Sequence, residues 1–496
     1  MLNAYRGDDV RAAEEVAMAA AREGGGTGGE LMQRAAAGVA TAALGLLRRA
    51  YGSTVLVLAG PGNNGGDALH AAARLARRGA AVRYCGTSGR GLHTEGEAAC
   101  RAAGGRPVDL AGAGALLRAG RVRLVVDGVL GLGGRGDLPA DVATLAALCR
   151  DTSTPVLAVD VPSGTVADGG AVGDTFSADL TVTFGARRLA HLMEPAASRC
   201  GEVRVVPIGI ELGRPTLLGW EVADLVAALP VPGPLDHKYS RGVVGLDTGS
   251  TRYPGAALLG VSGAVHTGVG MVRYLGPAGD VVTTALPNVV TADGRVQALV
   301  LGSGWGDSED TGRRLREAVD RVVGEGSALL LDADALTSLG TGRGPRGLTE
   351  LGPDRLLLTP HAGELARLLD VPRSQVEQEP LAHARQAAER LGATVLLKGA
   401  TQYVVGPGEG PVEVAVPGPA WTGQAGSGDV LAGICGALLA AGLPAARAGA
   451  AGASLQAVAA ARRPGPHPPQ ELAARLPEVV SELVGVGSWR AGRRGP

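Results

Sequence analysis

A glycine-rich stretch near the C-terminal end of the chain carries the residues best suited to chemistry. Residues 423–433 read GQAGSGDVLAG, so small residues lead to a single acid, Asp429, and an apolar helical pattern follows at once. Glycine lets a ligand approach the main chain, and free N–H groups at the start of a helix favour phosphate. The pattern predicts a phosphate-binding loop with Asp429 in reach of a substrate hydroxyl. A flexible loop before a core helix is the alternative for any single glycine-rich run.

Three more acid-bearing motifs follow short apolar runs in the first half of the chain. The motifs are PGNNGGD at 61–67, DGVLGLGGRGD at 127–137 and DVPSG at 160–164. The first has the strand, turn and helix layout of a nucleotide-binding crossover, although it is not GxGxxG. Ligands bind outside the carboxyl ends of parallel strands, so we expect the three motifs to converge on one pocket. The alternative for each acid alone is a helix cap or a turn.

These motifs need two parallel sheets to position them. Apolar runs alternate with helical patterns from about residue 54 to 208, and the alternation begins again at residue 243. This arrangement predicts an α/β fold with two domains, which we place at residues 1–212 and 213–486 on either side of a proline-containing linker. The last ten residues, 487–496, are rich in Gly and Arg and are predicted to be a disordered tail.

Bulk properties narrow the class of protein. A chain of 496 residues is too long for one core, and a net charge of -1 without a basic block argues against nucleic acid or an anionic membrane as a partner. The five cysteines are scattered without zinc spacing and suit a reducing cytoplasm. No signal peptide or membrane-spanning run is expected. Lysine occurs only at Lys238 and Lys398, which makes these two positions candidates for a specific role.

The first half resembles the YjeF-type N-terminal domain, the NAD(P)H-hydrate epimerase family. The resemblance rests on PGNNGGD, VDGVLGLG, VDVPSG, ADLTVTFG and VPIGI, in that order, from about the LMQRAA helix to Ile210. It implies a Rossmann-like three-layer αβα domain with Asp160 as the acid/base group. The residues implied to contact the hydrated nucleotide are Asn63, Asn64, Gly65, Gly66 and Asp67, together with a phosphate cradle of Gly131, Leu132, Gly133, Gly134, Arg135, Gly136 and Asp137.

The same resemblance implies a potassium ion held by Asn64, Asp127 and Ser163. Neutral oxygen donors with one carboxylate suit a monovalent cation better than zinc, which prefers nitrogen and sulfur ligands. Two positions depart from the family pattern: Ala68 stands where Gly is usual, and Gln33 where Glu is usual. Neither departure removes a proposed ligand.

The second half, from about Trp220 to Leu483, resembles the ribokinase-like NAD(P)H-hydrate dehydratase domain, again a three-layer αβα fold. The resemblance implies that Asp429 is the catalytic base and that Asp332 and Asp334 lie near the metal and phosphate path. The remaining implied residues are Ala257, Gly302 and His361 for the hydrate, Lys398, Gly399, Ala400, Thr401 and Gln402 for the adenine nucleotide, and Gly426, Ser427 and Gly428 for the anion hole. From the residues alone, His361 could equally be a core or cap histidine.

Four departures weaken the assignment of the nucleotide contacts in the second half. Ser303 and Trp305 replace a usual Pro and Leu, Gln402 stands where Thr is common, and the HK motif at His237 has an extra Ser-Arg before Gly242.

The two resemblances together imply a bifunctional repair enzyme. Its first half would epimerise the R and S forms of NAD(P)H hydrate, and its second half would dehydrate the S form with Mg²⁺ and ADP or ATP. A small-molecule kinase of the same fold, such as a vitamin-precursor kinase, and a nucleotide-sensing binding module are the alternatives. The choices between ADP and ATP and between NADH and NADPH hydrate stay open, and we expect a cytoplasmic homo-oligomer without nucleic-acid or membrane partners.

Overall fold

The chain divides into two compact units. The structure is a computed structural model that describes residues 1–26, 29–134, 136–169, 172–306, 310–340 and 344–491, the last six of these as backbone only. One unit spans Asn3–Leu217, and the other begins at Leu218 and also includes Met1–Leu2. The division therefore lies just beyond the linker around residues 212–215 that the sequence predicts.

In the described residues the first unit has nine strands, and seven of them form a fully parallel sheet. Its strands are β1 (Leu2–Tyr5), β2 (Thr54–Ala59), β3 (Ala81–Gly86), β4 (Arg106–Pro107), β5 (Leu124–Gly128), β6 (Val156–Val159), β7 (Leu180–Phe184), β8 (Arg187–Arg188) and β9 (Glu202–Val206). Its helices are α1 (Gly7–Glu23), α2 (Glu30–Leu47), α3 (Asn63–Arg77), α4 (Thr94–Ala102), α5 (Leu110–Arg118) and α6 (Ala140–Asp151). The strand order is β4-β3-β2-β5-β6-β7-β9, and β1 pairs separately with β8.

Helices cover both faces of this sheet. Val55 and Val57 of β2 pack in one core cluster with α2 and α3. The alternate residues Leu56 and Leu58 pack in a second cluster with α5 and α6. Because successive side chains of a strand point to opposite faces, a strand buried on both faces is apolar throughout. The expected three-layer αβα class is confirmed for this unit.

The second unit has a larger, mostly parallel sheet. Its strands are β10 (Leu217–Gly219), β11 (Val243–Asp247), β12 (Met271–Tyr274), β13 (Ala298–Leu301), β14 (Ala328–Leu331), β15 (Leu356–Leu358), β16 (Thr394–Leu397), β17 (Tyr403–Val405) and β18 (Val412–Val414). Its helices are α7 (Val222–Ala228), α8 (Pro254–Thr267), α9 (Gly279–Ala285), α10 (Thr311–Glu325), α11 (Asp334–Leu339), α12 (Gly352–Arg355), α13 (Ala362–Leu369), α14 (Arg373–Gln378), α15 (Pro380–Leu391), α16 (Ser427–Ala440), α17 (Ala445–Arg462) and α18 (Pro469–Ala491). Strands β12-β11-β13-β14-β15-β16 run parallel, and β17 and β18 are antiparallel.

Helix α16 packs centrally against this second sheet. Every residue from Val430 to Ala440 is buried. The helix contacts α8 directly, because a Cβ atom on Gly433 would collide with the backbone of Gly260, and one on Gly263 with the backbone of Val430. Helices α10 and α15 contact the sheet through β13, β14 and β16. The second unit is therefore also a three-layer αβα domain, as expected.

Two helix bounds differ from the sequence-based expectation. The motif Asn63–Asp67 was expected in a loop, but α3 begins at Asn63, so the motif forms the first turns of a helix. Helix α18 continues to Ala491 and so includes the start of the segment predicted to be disordered, while residues 492–496 lie outside the described residues. None of the helices in the described part of the chain is long and apolar enough to cross a bilayer.

Candidate active sites

Glycine residues bring the start of α3 against the sheet of the first unit. A Cβ atom on Gly65 would collide with the carbonyl of Gly60, and one on Gly60 would collide with the carbonyl of Val129. Only glycine fits at both contacts. The close approach places Asn64 and Asp67 of α3 at the carboxyl ends of β2 and β5. The remaining motif residues share this turn, with Asn63 exposed and Gly66 buried.

Asp127 and Ser163 join the ends of two neighbouring strands. Asp127 is fully buried at the end of β5, and its carboxylate accepts hydrogen bonds from the Ser163 Oγ (2.6 Å), the Ser163 N–H (2.8 Å) and the Val129 N–H (3.2 Å). Burial raises the pKa of Asp127 to about 6, although the bonds from Ser163 oppose the shift. The Ser163 Oγ also accepts from the Leu130 N–H (2.8 Å).

Asn64 completes the implied potassium-binding set around the same loop. Its Oδ1 would lie 3.0 Å from a Cβ atom on Gly131, and its buried Nδ2 has no hydrogen-bond partner among the described residues. Hydroxyl and amide groups donate to the buried Asp127 carboxylate, and no cationic side chain of the described residues pairs with it. A buried carboxylate without a cationic partner fits a weakly held monovalent cation, and the ligand from Asn64 would be its Oδ1, because Nδ2 can only donate.

The implied phosphate cradle is a turn packed on the segment that follows Ser163. The Gly134 N–H donates to the Gly131 carbonyl (2.9 Å), and the Gly173 N–H donates to the Gly136 carbonyl (2.7 Å). Leu132 is half-buried and packs with Val161, so its side chain has a packing role. A Cβ atom on Gly133 would have no neighbour within 4 Å. The side chain of Asp137 lies against Gly173. Arg135 lies outside the described residues.

Asp160 follows β6 in a left-handed backbone conformation, with φ of 69°. Its buried carboxylate lies 2.9 Å from the Arg188 Nη2 and accepts a bond from the Thr183 Oγ1 at 2.9 Å. Sequence reasoning missed Arg188, because an Arg-Arg pair after a strand gives no sign that one guanidinium turns inward.

Two further acids face Asp160 in the first unit. Burial, followed by repulsion from Asp160 and Glu14, raises the pKa of Asp67 well above its usual value. Burial also raises the pKa of Glu14 on α1, a residue that sequence reasoning did not identify. The first site thus brings together Asp67 and Asp160, as the motifs predict, and adds Glu14 and Arg188.

A buried ionic network lies at the strand ends of the second unit. The Lys398 Nζ lies 2.7 Å from the Asp332 Oδ1, which also accepts from the Thr359 Oγ1 at 2.8 Å. The Ser303 Oγ donates to the Asp332 Oδ2 at 2.9 Å. Burial lowers the pKa of Lys398, but the carboxylates of Asp332 and Glu364 outweigh burial and raise it overall. Lys398 is therefore charged and held in place.

Asp429 lies in the first turn of α16, beside this network. The preceding Gly426 adopts φ of 89°, and a Cβ atom on Gly428 would lie 3.3 Å from the Lys398 Nζ. Burial and, secondarily, repulsion from Asp332 raise the pKa of Asp429 to about 7, against the opposing effects of Lys398 and Ser303. A carboxyl group with this pKa exchanges protons readily near neutral pH.

A cleft of about 570 Å³ opens beside Lys398. Most of the predicted nucleotide-binding residues line it, namely Lys398, Gly399, Ala400, Gln402, Ser427 and Gly428, together with His361. Thr401 and Gly426 are sequence neighbours of lining residues. Gln456 of α17, which sequence reasoning missed, also lines the cleft and donates to the Ser427 carbonyl at 2.8 Å. Nothing in an Ala-rich helical pattern distinguishes this glutamine.

Two of the residues predicted to bind the hydrate, Ala257 and Gly302, lie outside the cleft. The Gly249 N–H donates to the Ser303 carbonyl (2.6 Å), and a Cβ atom on Gly249 would lie 2.7 Å from the Cβ of Ala257. Gly302 packs against Asp332. These contacts connect Ala257 and Gly302 to the ionic network around Asp332, but neither residue lines the cleft.

His361 caps helix α13. Its Nδ1 accepts from the N–H groups of Gly363 (2.9 Å) and Glu364 (3.2 Å), and its own N–H donates to the Glu364 Oε2 at 2.8 Å. Burial lowers the pKa of His361, which favours the neutral ring. The cap alternative raised from the sequence is therefore correct, and the same side chain also lines the cleft.

The departures from the family pattern have local partners. The Trp305 Nε1 donates to the Asp247 carbonyl (2.8 Å), and the Arg314 guanidinium stacks 4.2 Å from the centre of the Trp305 ring. Ser303 binds Asp332, as described above. Among the described residues, no group of three or more His, Cys, Asp or Glu side chains is arranged to hold a metal ion alone.

Comparisons with known proteins match each half of the chain to a family model. The family model described as "YjeF-related protein N-terminus" matches residues 28–190, and the one described as "NAD(P)H-hydrate dehydratase" matches residues 244–480. A solved structure, the ADP/ATP-dependent NAD(P)H-hydrate dehydratase of Bacillus subtilis, is 25% identical and covers 53% of this chain and 98% of its own, with a TM-score of 0.47.

Curated relatives match nearly the full length. The bifunctional NAD(P)H-hydrate repair enzyme Nnr of Mycobacterium tuberculosis (strain CDC 1551 / Oshkosh) is 41% identical over 467 residues, which cover 91% of this chain and 92% of the relative. The enzyme of the same name from Mycobacterium leprae is 40% identical over 92% of this chain and 94% of its own, and that of Escherichia coli K12 is 31% identical over 83% and 80%. With such identity over both halves, the chain belongs to the family of bifunctional NAD(P)H-hydrate repair enzymes.

Proposed function

We propose that the protein restores hydrated NADH and NADPH in two steps. The first unit interconverts the R and S hydrates, and the second unit dehydrates the S form at the expense of ADP or ATP. The observation that carries the proposal is Asp429 at the start of α16, next to the buried Lys398–Asp332 pair and the cleft. A base, a fixed cation and N–H groups at the start of a helix are the parts that phosphoryl transfer needs.

In the dehydration step, Asp429 removes the proton from the hydroxyl group of the hydrate. A hydroxyl is a poor leaving group, and its phosphate ester is a good one, so phosphorylation precedes elimination and restoration of the double bond. The N–H groups of Gly426 and Gly428 face the transferred phosphoryl group and stabilise its negative charge, whereas the Ser427 N–H donates to the Gln424 carbonyl at 3.2 Å. Lys398 adds a positive charge that Asp332 and Glu364 hold in a fixed place.

The nucleotide occupies the cleft between Lys398–Gln402 and the start of α16, which His361 also lines. The hydrate lies on the side of Gly302 and Ala257. Mg²⁺ bound with the nucleotide phosphates would lower their charge, and in proteins this ion usually takes only one or two carboxylates. Asp332 uses both oxygens for Lys398, Thr359 and Ser303. Asp334 gives one oxygen to the Gly306 N–H at 2.8 Å and so is the carboxylate better placed to reach Mg²⁺.

In the epimerisation step, Asp160 exchanges a proton with the substrate at the carboxyl ends of β5 and β6. Residues Asn63–Asp67 and the turn 131–137 bind the nucleotide on either side. The oxygens of Asn64, Asp127 and Ser163 would hold K⁺, and the bound ion would supply positive charge next to the phosphate. The buried carboxylate of Asp127 supports this ion site.

Incubation with both hydrate epimers and either ADP or ATP tests the proposal directly. Recovery of the NADH absorbance from the whole mixture requires both activities, whereas recovery from only the S portion shows dehydration alone. A phosphorylated product that accumulates without restored absorbance would instead indicate a small-molecule kinase. Repeating the assay with each nucleotide and with NADPH hydrate reveals the preferences for both substrates.

Two properties of the whole molecule complete the proposal. All five cysteines are buried free thiols, which suits a reducing cytoplasm. We also propose a homo-oligomer, and light scattering coupled to gel filtration measures its mass.

A further inference from the structure

The backbone of Asp160 is held in a conformation that a non-glycine residue rarely adopts. Its φ of 69° lies in the left-handed region, and such residues persist where the surrounding structure over-determines them. The Asp160 N–H donates to the Val182 carbonyl at 2.7 Å. The carbonyl and the carboxylate of Asp160 are held by two residues from the short segment that follows β7, Arg188 and His191.

His191 holds the main chain of Asp160. Its Nδ1 lies 3.0 Å from the Arg188 N–H, and its Nε2 lies 2.9 Å from the Asp160 carbonyl oxygen. Since an N–H can only donate, Nδ1 is the acceptor, and the ring proton must be on Nε2, where it is donated to Asp160. Burial lowers the pKa of His191 to about 4, so the ring stays neutral at physiological pH. Both ring nitrogens are thus used to fix one tautomer.

Arg188 holds the carboxylate of Asp160. Its side chain is 1% exposed, and its Nη2 lies 2.9 Å from the Asp160 Oδ1. The guanidinium is itself fixed by the carbonyls of Ala186 (3.0 Å) and Phe184 (3.3 Å), and the Thr183 hydroxyl donates to the same Oδ1 at 2.9 Å. None of these bonds uses the other oxygen, Oδ2.

We propose that Arg188 and His191 are positioning residues for epimerisation, which hold Asp160 so that Oδ2 is the oxygen that exchanges a proton with the substrate. The proton leaves the substrate for Oδ2 and returns from the same carboxyl group, so the enzyme ends each turnover unchanged. This inference rests on the proposed epimerase function of the first unit.

The surrounding charges explain why a guanidinium is needed. Glu14 and Asp67 both face Asp160, and both have raised pKa values because of burial and this proximity. Three carboxyl groups therefore compete for protons in one place. Arg188 forms an ion pair with Asp160, so the fixed positive charge stands beside the residue that must act as the base. Arg187, the other cation nearby, donates to the Val203 carbonyl instead.

Kinetics of Arg188→Met, Arg188→Lys and His191→Gln, with Arg187→Met as the matched control, test the proposal. We expect Arg188→Met to lower the epimerase kcat on the order of 10²-fold with little change in KM, and to move the acid limb of the rate–pH profile to higher pH. Arg188→Lys restores part of the rate, because the charge returns without the full set of bonds. His191→Gln lowers kcat while leaving the acid limb in place. Arg187→Met stays within a few-fold of wild type.

The dehydratase activity of the same chain and its melting temperature separate positioning from folding. If the epimerase kcat of Arg188→Met stays within about threefold of wild type, the inference is wrong. It is also wrong if the loss of epimerase kcat follows the fall in melting temperature and the acid limb of the rate–pH profile does not move. Should Arg188→Met be insoluble, Arg188→Lys and His191→Gln decide by the same criteria. A wild-type chain without any epimerase activity would instead refute the proposed function.

Discussion

Lys398 and Asp332 form a buried ion pair, with the Nζ of Lys398 2.7 Å from the Oδ1 of Asp332. The two residues come from the ends of different strands, and Thr359 and Ser303 use the remaining capacity of the carboxylate. A charge held by several bonds needs no reorientation when a phosphoryl group arrives, which is the basis of electrostatic preorganisation. Lys398 thereby supplies a fixed positive charge beside Asp429.

Replacement of Asp429 by Asn should remove dehydration and leave epimerisation intact. The amide cannot accept the hydroxyl proton, and loss of a general base typically costs on the order of 10²–10⁴-fold in rate. NADH absorbance measures dehydration, and chromatography of the two hydrates measures epimerisation in the same sample. A variant that dehydrates within a few-fold of wild type would show that Asp429 is not the base.

The dehydration rate should depend on pH with a midpoint near 7. Burial raises the pKa of Asp429 to about 7, and only the ionised carboxylate can accept a proton. The rate should therefore fall about tenfold per pH unit on the acid side and level off above the midpoint. The kcat of the S hydrate at saturating nucleotide measures this profile. A flat profile from pH 5 to 8 would exclude Asp429 as the titrating base.

Potassium should activate the epimerase and stabilise the first unit. Asp127→Ala should lose both the rate and the response to K⁺. Since the pKa of Asp127 is raised to about 6, a rise in melting temperature with K⁺ should be larger at pH 8 than at pH 5. Tetramethylammonium chloride at equal ionic strength is the control. Equal activity and equal melting temperature in both salts would show that these residues are not an ion site.

Asp67→Asn should stabilise the fold while it impairs epimerisation. Burial raises the pKa of Asp67 well above its unfolded value of about 3.9. The folded state then binds the proton more tightly, so stability falls as pH rises from about 4 through the raised pKa. Asn removes this cost, and the gain in melting temperature should be larger at pH 8 than at pH 4.

A second acid of the same unit provides the control for Asp67. Asp109 caps α5 by accepting from the Gly112 N–H at 2.7 Å, and Asp109→Ala should lower stability by about 0.5–2 kcal/mol. If Asp67→Asn destabilises the protein at pH 8 as Asp109→Ala does, the carboxyl group of Asp67 has a structural role instead.

The two units should fold and work apart. Each has its own hydrophobic core, and the chain divides between Leu217 and Leu218. Fragments cut near residue 212 and after residue 217 should give epimerase activity only in the first piece and dehydratase activity only in the second. If neither fragment of either pair is soluble and active, the two halves depend on a common core.

Sequence patterns predict most of the strands because these are short apolar runs that end in polar residues, as β6 before Asp160 shows. They misplace the start of α3, since Asn-Asn-Gly-Gly-Asp has the composition of a turn and becomes helical only through close packing of Gly65 on Gly60. Arg188 and Gln456 could not be predicted, because their roles depend on contacts with Asp160 and Ser427, which are distant in sequence.

The backbone contact between α8 and α16 has a consequence for substrate choice. Helix α8 includes Ala257, α16 begins next to Asp429, and the two helices meet at Gly260, Gly263 and Gly433 without intervening side chains. No rotamer change at this contact can move one helix relative to the other. The spacing between the proposed hydrate-binding turn and the proposed base, Asp429, is therefore fixed when the protein folds. The second unit should discriminate among hydroxylated rings by their size before any nucleotide binds.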